Sequence, residues 1–117
     1  MVRIIDQIAA VLVALFGVAH LAVGHQAFVS PTERGVWFLS AGFLLVVTAL
    51  ANLARARASS RTRLQSLTAL SGSVAILVSG ALIAASRPDL LFAPESIALI
   101  SLGILLAGFS LRDLLRS

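Results

Sequence analysis

Apolar residues in this chain fall into four long runs that short polar segments separate. The runs cover residues 4–24, 36–54, 64–86 and 96–111. A helix that crosses a bilayer needs roughly 20 mostly apolar residues, so four spans would use most of a chain of 117 residues. The pattern therefore predicts an all-α, integral membrane four-helix bundle, with residues 1–117 as a single domain. A cleavable signal peptide is the alternative for the first run, although that run exceeds the apolar core of about 7–15 residues typical of such peptides.

The segments between the runs contain residues that start and stop helices. Ser30 to Glu33 has the Ser/Thr-x-x-Glu pattern of a helix start, which predicts that the second helix begins between Pro31 and Gly35. Residues 87–89 read Arg-Pro-Asp and end the third run. Pro94 opens the fourth helix, because proline is well tolerated in the first turn.

Composition supports the membrane interpretation and excludes several kinds of site. Hydrophobic residues make up 59% of the chain, charged residues 12%, and the mean hydropathy is +1.03, which excludes an ordinary soluble domain. Cysteine is absent. Disulfides, thiolate metal sites, iron–sulfur clusters and cysteine nucleophiles are therefore excluded.

The basic residues predict an orientation. All nine are arginines, and seven of them lie near the two chain ends or in the segment 55–63, while only Arg34 and Arg87 lie in the other two connections. Because basic residues are retained in the cytoplasm, both termini and the middle loop are expected there, in a bacterial inner membrane. Anionic lipid headgroups, rather than nucleic acid, are the expected partners of the loop residues Arg55, Arg57, Arg61 and Arg63.

Small and polar residues at helical spacing indicate which helix faces pack together. Such residues let helix backbones approach closely in a membrane. The predicted seams are Gln65, Gly72, Ser79 and Ser86 on the third span; Ala98, Ser101, Leu105 and Gly108 on the fourth; and Ser40, Leu44, Thr48 and Asn52 on the second.

The first span carries the candidate functional residues. Asp6, Gly17, His20 and Gly24 fall within an arc of about 100° and are expected to face the inside of the bundle. An ionisable group at membrane depth is a functional hypothesis in itself. His20 is expected either to be neutral and hydrogen-bonded to Ser40, Ser79 or Ser101, or to line a path together with Asp6. Ser40 and Thr48 are further candidates for buried or ligand-facing polar groups.

A second set of candidates lies on the opposite side from the arginine-rich loop. His25 is turned about 140° from His20, so the two rings do not chelate one ion on a continuous helix. His25, Glu33, Asp89 and Glu95 form a possible outer-side cluster. Their spacing matches no metal signature, and no metal or other cofactor is expected.

One short pattern resembles a known group of proteins. It consists of Gly17-Val-Ala-His20 near the end of the first span, followed by Pro31, Arg34, Trp37 and Gly42 at the opening of the second. In this respect the chain is similar to small bacterial membrane proteins of the broad DoxX-like type. The resemblance implies a four-helix fold and transfers no catalytic residues.

These features favour a non-enzymatic function. The first hypothesis is an accessory or oligomeric membrane component that acts through helix contacts with copies of itself or with a membrane protein partner. The second is a small oligomeric transporter or channel with a path along Asp6 and His20. The third is a haem or metal redox protein of the membrane that uses His20 or His25.

Overall fold

Four long helices account for most of the chain. A computed structural model describes residues 1–28, 30 and 32–117. Its helices are α1 (Val2–Ala27), α2 (Glu33–Arg57), α3 (Arg63–Ser86) and α4 (Pro94–Arg116), with a single 3-10 turn at Pro88–Leu90. Each predicted run lies within one helix, which confirms the all-α four-helix prediction. All four helices are long and apolar enough to cross a membrane, with mean hydropathies of 1.8 to 2.1 over their most apolar stretches.

The starts of α2 and α4 agree with the helix-start residues identified in the sequence. α2 begins at Glu33, within the predicted interval, but its N-cap is Thr32 rather than Ser30, and the Thr32 hydroxyl accepts a hydrogen bond from the Gly35 amide at 3.0 Å. Pro31 lies outside the described residues. α3 begins with a capping box in which Thr62 and Gln65 bond reciprocally. Pro94 is the first residue of α4, as predicted.

The helices pack as two hairpins side by side. α1 packs against α2 and α3 against α4; α2 then contacts α3, and α1 contacts α4, closing the bundle. The bundle measures 44 × 26 × 22 Å. Its apolar core consists of small and medium side chains from all four helices: Ala9, Ala10, Val13, Leu45, Ala49, Ile76 and Leu106.

Glycines bring two pairs of helices into close contact. A Cβ atom on Gly17 of α1 would lie 2.7 Å from Val46 Cγ2 and 3.0 Å from the Gly42 carbonyl oxygen, both on α2. A Cβ on Gly72 of α3 would lie 2.6 Å from the Thr48 hydroxyl oxygen. These approaches are closer than a residue with a side chain allows, which is how helices associate in lipid.

The predicted packing seam on α4 is wrong. Ser101, Leu105 and Gly108 are exposed, and the buried face of α4 consists of Gly103, Leu106, Ser110 and Asp113. On α3 the buried residues are Ser66, Ala69, Ser73 and Ile76, about one position from the predicted seam. One position rotates a helix face by about 100°. The polar residues described below, rather than the smallest residues, face the interior.

Candidate functional site

Six polar side chains are buried together at the end of the bundle where α1 begins and α4 ends. They come from all four helices and are at most 1% exposed: Asp6, Asn52, Arg55, Ser73, Ser110 and Asp113. We call this set the buried polar cluster. Charged groups are almost never fully buried unless they are paired. The hydrogen bonds and ion pairs within the buried polar cluster therefore indicate whether its charged groups have a structural role.

Arg55 is the centre of the buried polar cluster. Its Nη2 donates to Asp6 Oδ1 at 2.7 Å and to Asn52 Oδ1 at 3.2 Å, while its Nη1 donates to Asp113 Oδ2. One guanidinium on α2 therefore joins carboxylates on α1 and α4. The planar, multi-donor head of arginine suits such bridging better than an ammonium group would.

Asn52 extends the cluster to α3. Its amide nitrogen donates to the Thr48 carbonyl at 3.0 Å and to the Ser73 hydroxyl at 3.2 Å, and its side-chain oxygen accepts from the Ser110 hydroxyl at 3.0 Å. Ser73 in turn donates to the Ala69 carbonyl at 2.9 Å. Every helix thus contributes at least one side chain to a continuous network.

Three guanidiniums compensate the two acids of the buried polar cluster. Asp6 is bound by Arg55, and Asp113 is bound by Arg55 and by Arg61, which reaches in from the loop. Arg112 adds a contact to Asp113 at 2.9 Å. The side chains of Arg61 and Arg112 are 28% and 27% exposed, so both buried carboxylates have cationic partners and the excess positive charge lies where it is partly exposed.

The arginines of the loop therefore divide into two groups. The prediction that Arg55 contacts lipid headgroups is wrong, because its side chain is fully buried between two acids. Arg57 and Arg63 are exposed, and Arg61 is 28% exposed while its guanidinium binds Asp113. Arg3 crosses from α1 and donates to the carbonyls of Ala56 and Ala58, which ties the N-terminal end to the start of this loop.

His20 lies in the other half of the bundle. Its ring stacks on Phe38 with centroids 3.7 Å apart and planes inclined by 12°. Its Nε2 is buried and has no hydrogen-bond partner among the described residues. None of the three serines predicted as partners bonds to it: Ser40 is exposed, against the prediction that it is buried, and Ser101 donates to the Ile97 carbonyl.

The structure separates His20 from Asp6. Asp6 is held by Arg55, and the α1 residues between the two, Ala9, Ala10 and Val13, pack into the apolar core against Leu45 and Ala49. Gly17 and Gly24 face inward, as predicted, but they serve the contact with α2. Thr48 is buried beside Gly72. Within one chain, apolar side chains fill the stretch that a path along Asp6 and His20 would follow.

His20 instead lines an apolar cavity of about 140 Å³. The remaining wall comes from α2, α3, α4 and the 3-10 turn, and includes Leu44, Ile76, Gly80, Leu91 and Ile100. Ser79, a predicted partner of His20, lines the same cavity. His20 and Ser79 are candidates from the sequence, but the cavity could not be predicted, because residues from all four helices and the 3-10 turn line it.

The outer-side candidates do not form a metal site. His25, Glu33, Asp89 and Glu95 are all exposed, and in residues 1–28, 30 and 32–117 no group of three or more histidine or acidic side chains could hold an ion. Asp89 is paired with Arg87, whose Nε and Nη2 donate at 3.0 and 2.8 Å. These hydrogen bonds from Arg87 hold the pKa of Asp89 below its ordinary value.

No known family model, curated protein or solved structure matches this chain. The DoxX-like resemblance thus stays a prediction carried by its short motif.

Proposed function

We propose that this chain is a non-enzymatic, four-span component of a bacterial inner membrane that works through contacts with lipid and with other membrane-embedded chains. One observation carries the proposal. The charged groups inside the bundle, Asp6, Arg55 and Asp113, are bound to one another, and these ion pairs join α1, α2 and α4. These charged groups therefore stabilise the packing of the helices. Large apolar side chains cover the outside of every helix.

Orientation is part of the proposal. Contacts of Arg3 with the 56–58 backbone, of Arg61 with Asp113 and of Arg63 with the Ser117 carbonyl gather the first helix, the middle loop and the last helix at one end. That end holds seven of the nine arginines. The excess of basic residues supports a cytoplasmic location for it.

Reporters at three positions test this orientation. Reporters inserted at residue 59 and after residue 117 are expected to be on the cytoplasmic side, and a reporter in the Arg87–Pro94 connection on the opposite side. Accessibility of single cysteines to an impermeant thiol reagent in intact cells gives the measurement, since the chain has no cysteine of its own. Labelling of residue 59 and the carboxyl end on different sides would refute the four-span arrangement.

The arginine-rich end supports binding of anionic lipid. Arg3, Arg61 and Arg116 line an open basin at this end, and the side chains of Arg57 and Arg63 are exposed. Arginine near the membrane surface gains about 1 kcal/mol from anionic lipid. The proposed headgroup contacts therefore involve the exposed arginines and exclude Arg55.

The exposed face of α4 supports self-association. Ser101 and Gly108 lie on the outside, and a Cβ on Gly108 would meet no atom within 4 Å among the described residues. Small residues seven positions apart on a lipid-facing helix allow a second helix to approach closely. The predicted seam of α4 therefore suits a contact between two copies of the chain rather than packing within one.

We expect Gly108→Leu to reduce the mass of the native assembly while leaving the monomer folded. Added side-chain volume would hold the two α4 helices apart, without touching any neighbour in the monomer. Native mass measurement in mild detergent compares the variant with the wild type. Leu105→Ile is the control, because it changes a residue on the same exposed face of α4 without adding side-chain volume. A Gly108→Leu assembly of the same mass as the wild type would contradict this contact. Liposome flux through the wild-type oligomer that His20→Ala abolishes would favour the transporter hypothesis instead.

A further inference from the structure

The basin at the arginine-rich end is lined by the first turn of α1, the middle loop and the end of α4. Its volume is about 340 Å³. Each of the three segments contributes one arginine to the lining: Arg3, Arg61 and Arg116. Seven arginines lie at this end against two aspartates, Asp6 and Asp113. The charge of the basin therefore favours an anionic ligand.

Two of the basin arginines are held in place by bonds that leave part of each guanidinium free. Arg3 uses Nε and Nη2 to donate to the carbonyls of Ala56 and Ala58, and Arg61 uses Nη1 to donate to Asp113. Since a guanidinium has five N–H groups, each arginine keeps others for a ligand. Because these side chains are already positioned, binding an anion costs little further side-chain entropy.

The acid in the wall of the basin does not oppose an anion strongly. Asp113 lines the basin, but its carboxylate accepts hydrogen bonds from three arginines. Arg116, in contrast, is exposed and takes part in no ion pair among the described residues. Its whole guanidinium is therefore available to a ligand in the basin.

We propose that the basin binds the phosphomonoester headgroup of an anionic lipid, with Arg3, Arg61 and Arg116 as its cationic partners. A phosphomonoester has three terminal oxygens and a charge of about −1.5 to −2 at neutral pH, so each guanidinium can bind one oxygen. A phosphodiester has one terminal oxygen fewer and a single charge. This inference rests on the proposed binding of anionic lipid at this end, and it names the headgroup.

Exposed apolar side chains next to the basin arginines favour a lipid over a soluble phosphomonoester. Ile4 follows Arg3 in the chain and is 62% exposed, and Leu115 precedes Arg116 and is 78% exposed. Apolar residues of this kind suit contact with acyl chains, while arginines at the end of a span suit the headgroup region. The two kinds of residue together match the two parts of a lipid.

Lipids with identical acyl chains test the headgroup. Phosphatidic acid, phosphatidylglycerol and phosphatidylcholine are each titrated into the full chain in a neutral detergent, and bound lipids are counted by native mass spectrometry. We expect phosphatidic acid to bind about tenfold more tightly than phosphatidylglycerol, as one additional charge-assisted hydrogen bond provides. Equal affinity of these two lipids would overturn the proposal, and general binding of anionic lipid would stand if both exceeded phosphatidylcholine. Equal affinity of all three would refute both.

Two charge-matched variants locate the site. Arg116→Gln removes a basin arginine and should abolish most of the tenfold preference. Arg57→Gln removes the same charge from an exposed arginine outside the lining of the basin, and it should leave the preference unaltered. Equal effects of the two variants would refute the location. Glycerol 3-phosphate, a phosphomonoester without acyl chains, should compete only weakly with phosphatidic acid, and binding as tight as that of the lipid would refute a lipid ligand.

Discussion

Replacing Arg55 with leucine is expected to destabilise the protein by about 3–5 kcal/mol, the usual cost of removing one partner from a buried ion network. The change leaves the Asp6 carboxylate without a salt bridge and removes the Asp113 contact that joins α2 to α4. Thermal unfolding in mild detergent, followed by circular dichroism, should show a much lower midpoint. In cells the variant should accumulate poorly.

Arg57→Leu is the matched control for this experiment. Arg57 lies in the same last turn of α2, but its side chain is exposed. Its replacement is expected to change stability by no more than about 0.5 kcal/mol. Adding Asp6→Asn and Asp113→Asn to Arg55→Leu should restore much of the lost stability, because no uncompensated charge then remains buried. Equal stability of the two single variants would show that the buried polar cluster does not hold the bundle together.

Hydrophobic patterning was sufficient to predict the helices because each apolar run contains at most one charged residue and each break contains proline or several polar residues. The start of α2 at Glu33 and of α4 at Pro94 followed from local rules of helix capping and proline geometry. Such rules operate within a few residues. They require no knowledge of the neighbouring helix.

The buried polar cluster could not be predicted from the same pattern, because it depends on the rotation of each helix about its axis. Asp6, Arg55 and Asp113 each lie near the end of an apolar run, where a charged residue ordinarily marks the membrane surface. Arg55 in particular reads as one more arginine of the loop. One signal was available: a four-span topology puts all three at the same end, with opposite charges at similar depth.

The inward faces of α3 and α4 were harder to predict for a related reason, whereas Thr48 and Asn52 of the predicted α2 seam are buried and Gly72 of α3 contacts Thr48. α3 is apolar on nearly all sides, so its sequence gives little indication of which face turns inward. Residue size alone is a poor guide, because Ser73 on α3 and Ser110 on α4 face the interior and are hydrogen-bonded there, while Gly108 lies outside. In a membrane, polar groups turn inward to find partners, while glycine is tolerated on either side.

Gly17→Leu is expected to destabilise the protein by about 3 kcal/mol or more, the upper range for overpacking. Even a methyl group at residue 17 would lie 2.7 Å from Val46 Cγ2 and 3.0 Å from the Gly42 carbonyl oxygen. The second contact is with backbone, so side-chain rotation cannot relieve it, and α1 must move away from α2. Unfolding midpoints in detergent give the measurement.

Gly80→Leu provides the comparison, since it adds the same side chain to another helix of the bundle, at a position where the Cβ would have only one neighbour within 4 Å among the described residues. We expect its unfolding midpoint to stay close to that of the wild type, because filling an apolar cavity restores dispersion contacts. A separation of α1 from α2 should also loosen the ring contact between His20 and Phe38, which lie on those two helices, and so alter the His20 ring signals in the NMR spectrum. If Gly17→Leu and Gly80→Leu unfold at the same temperature, the α1–α2 contact is not the close backbone approach described above.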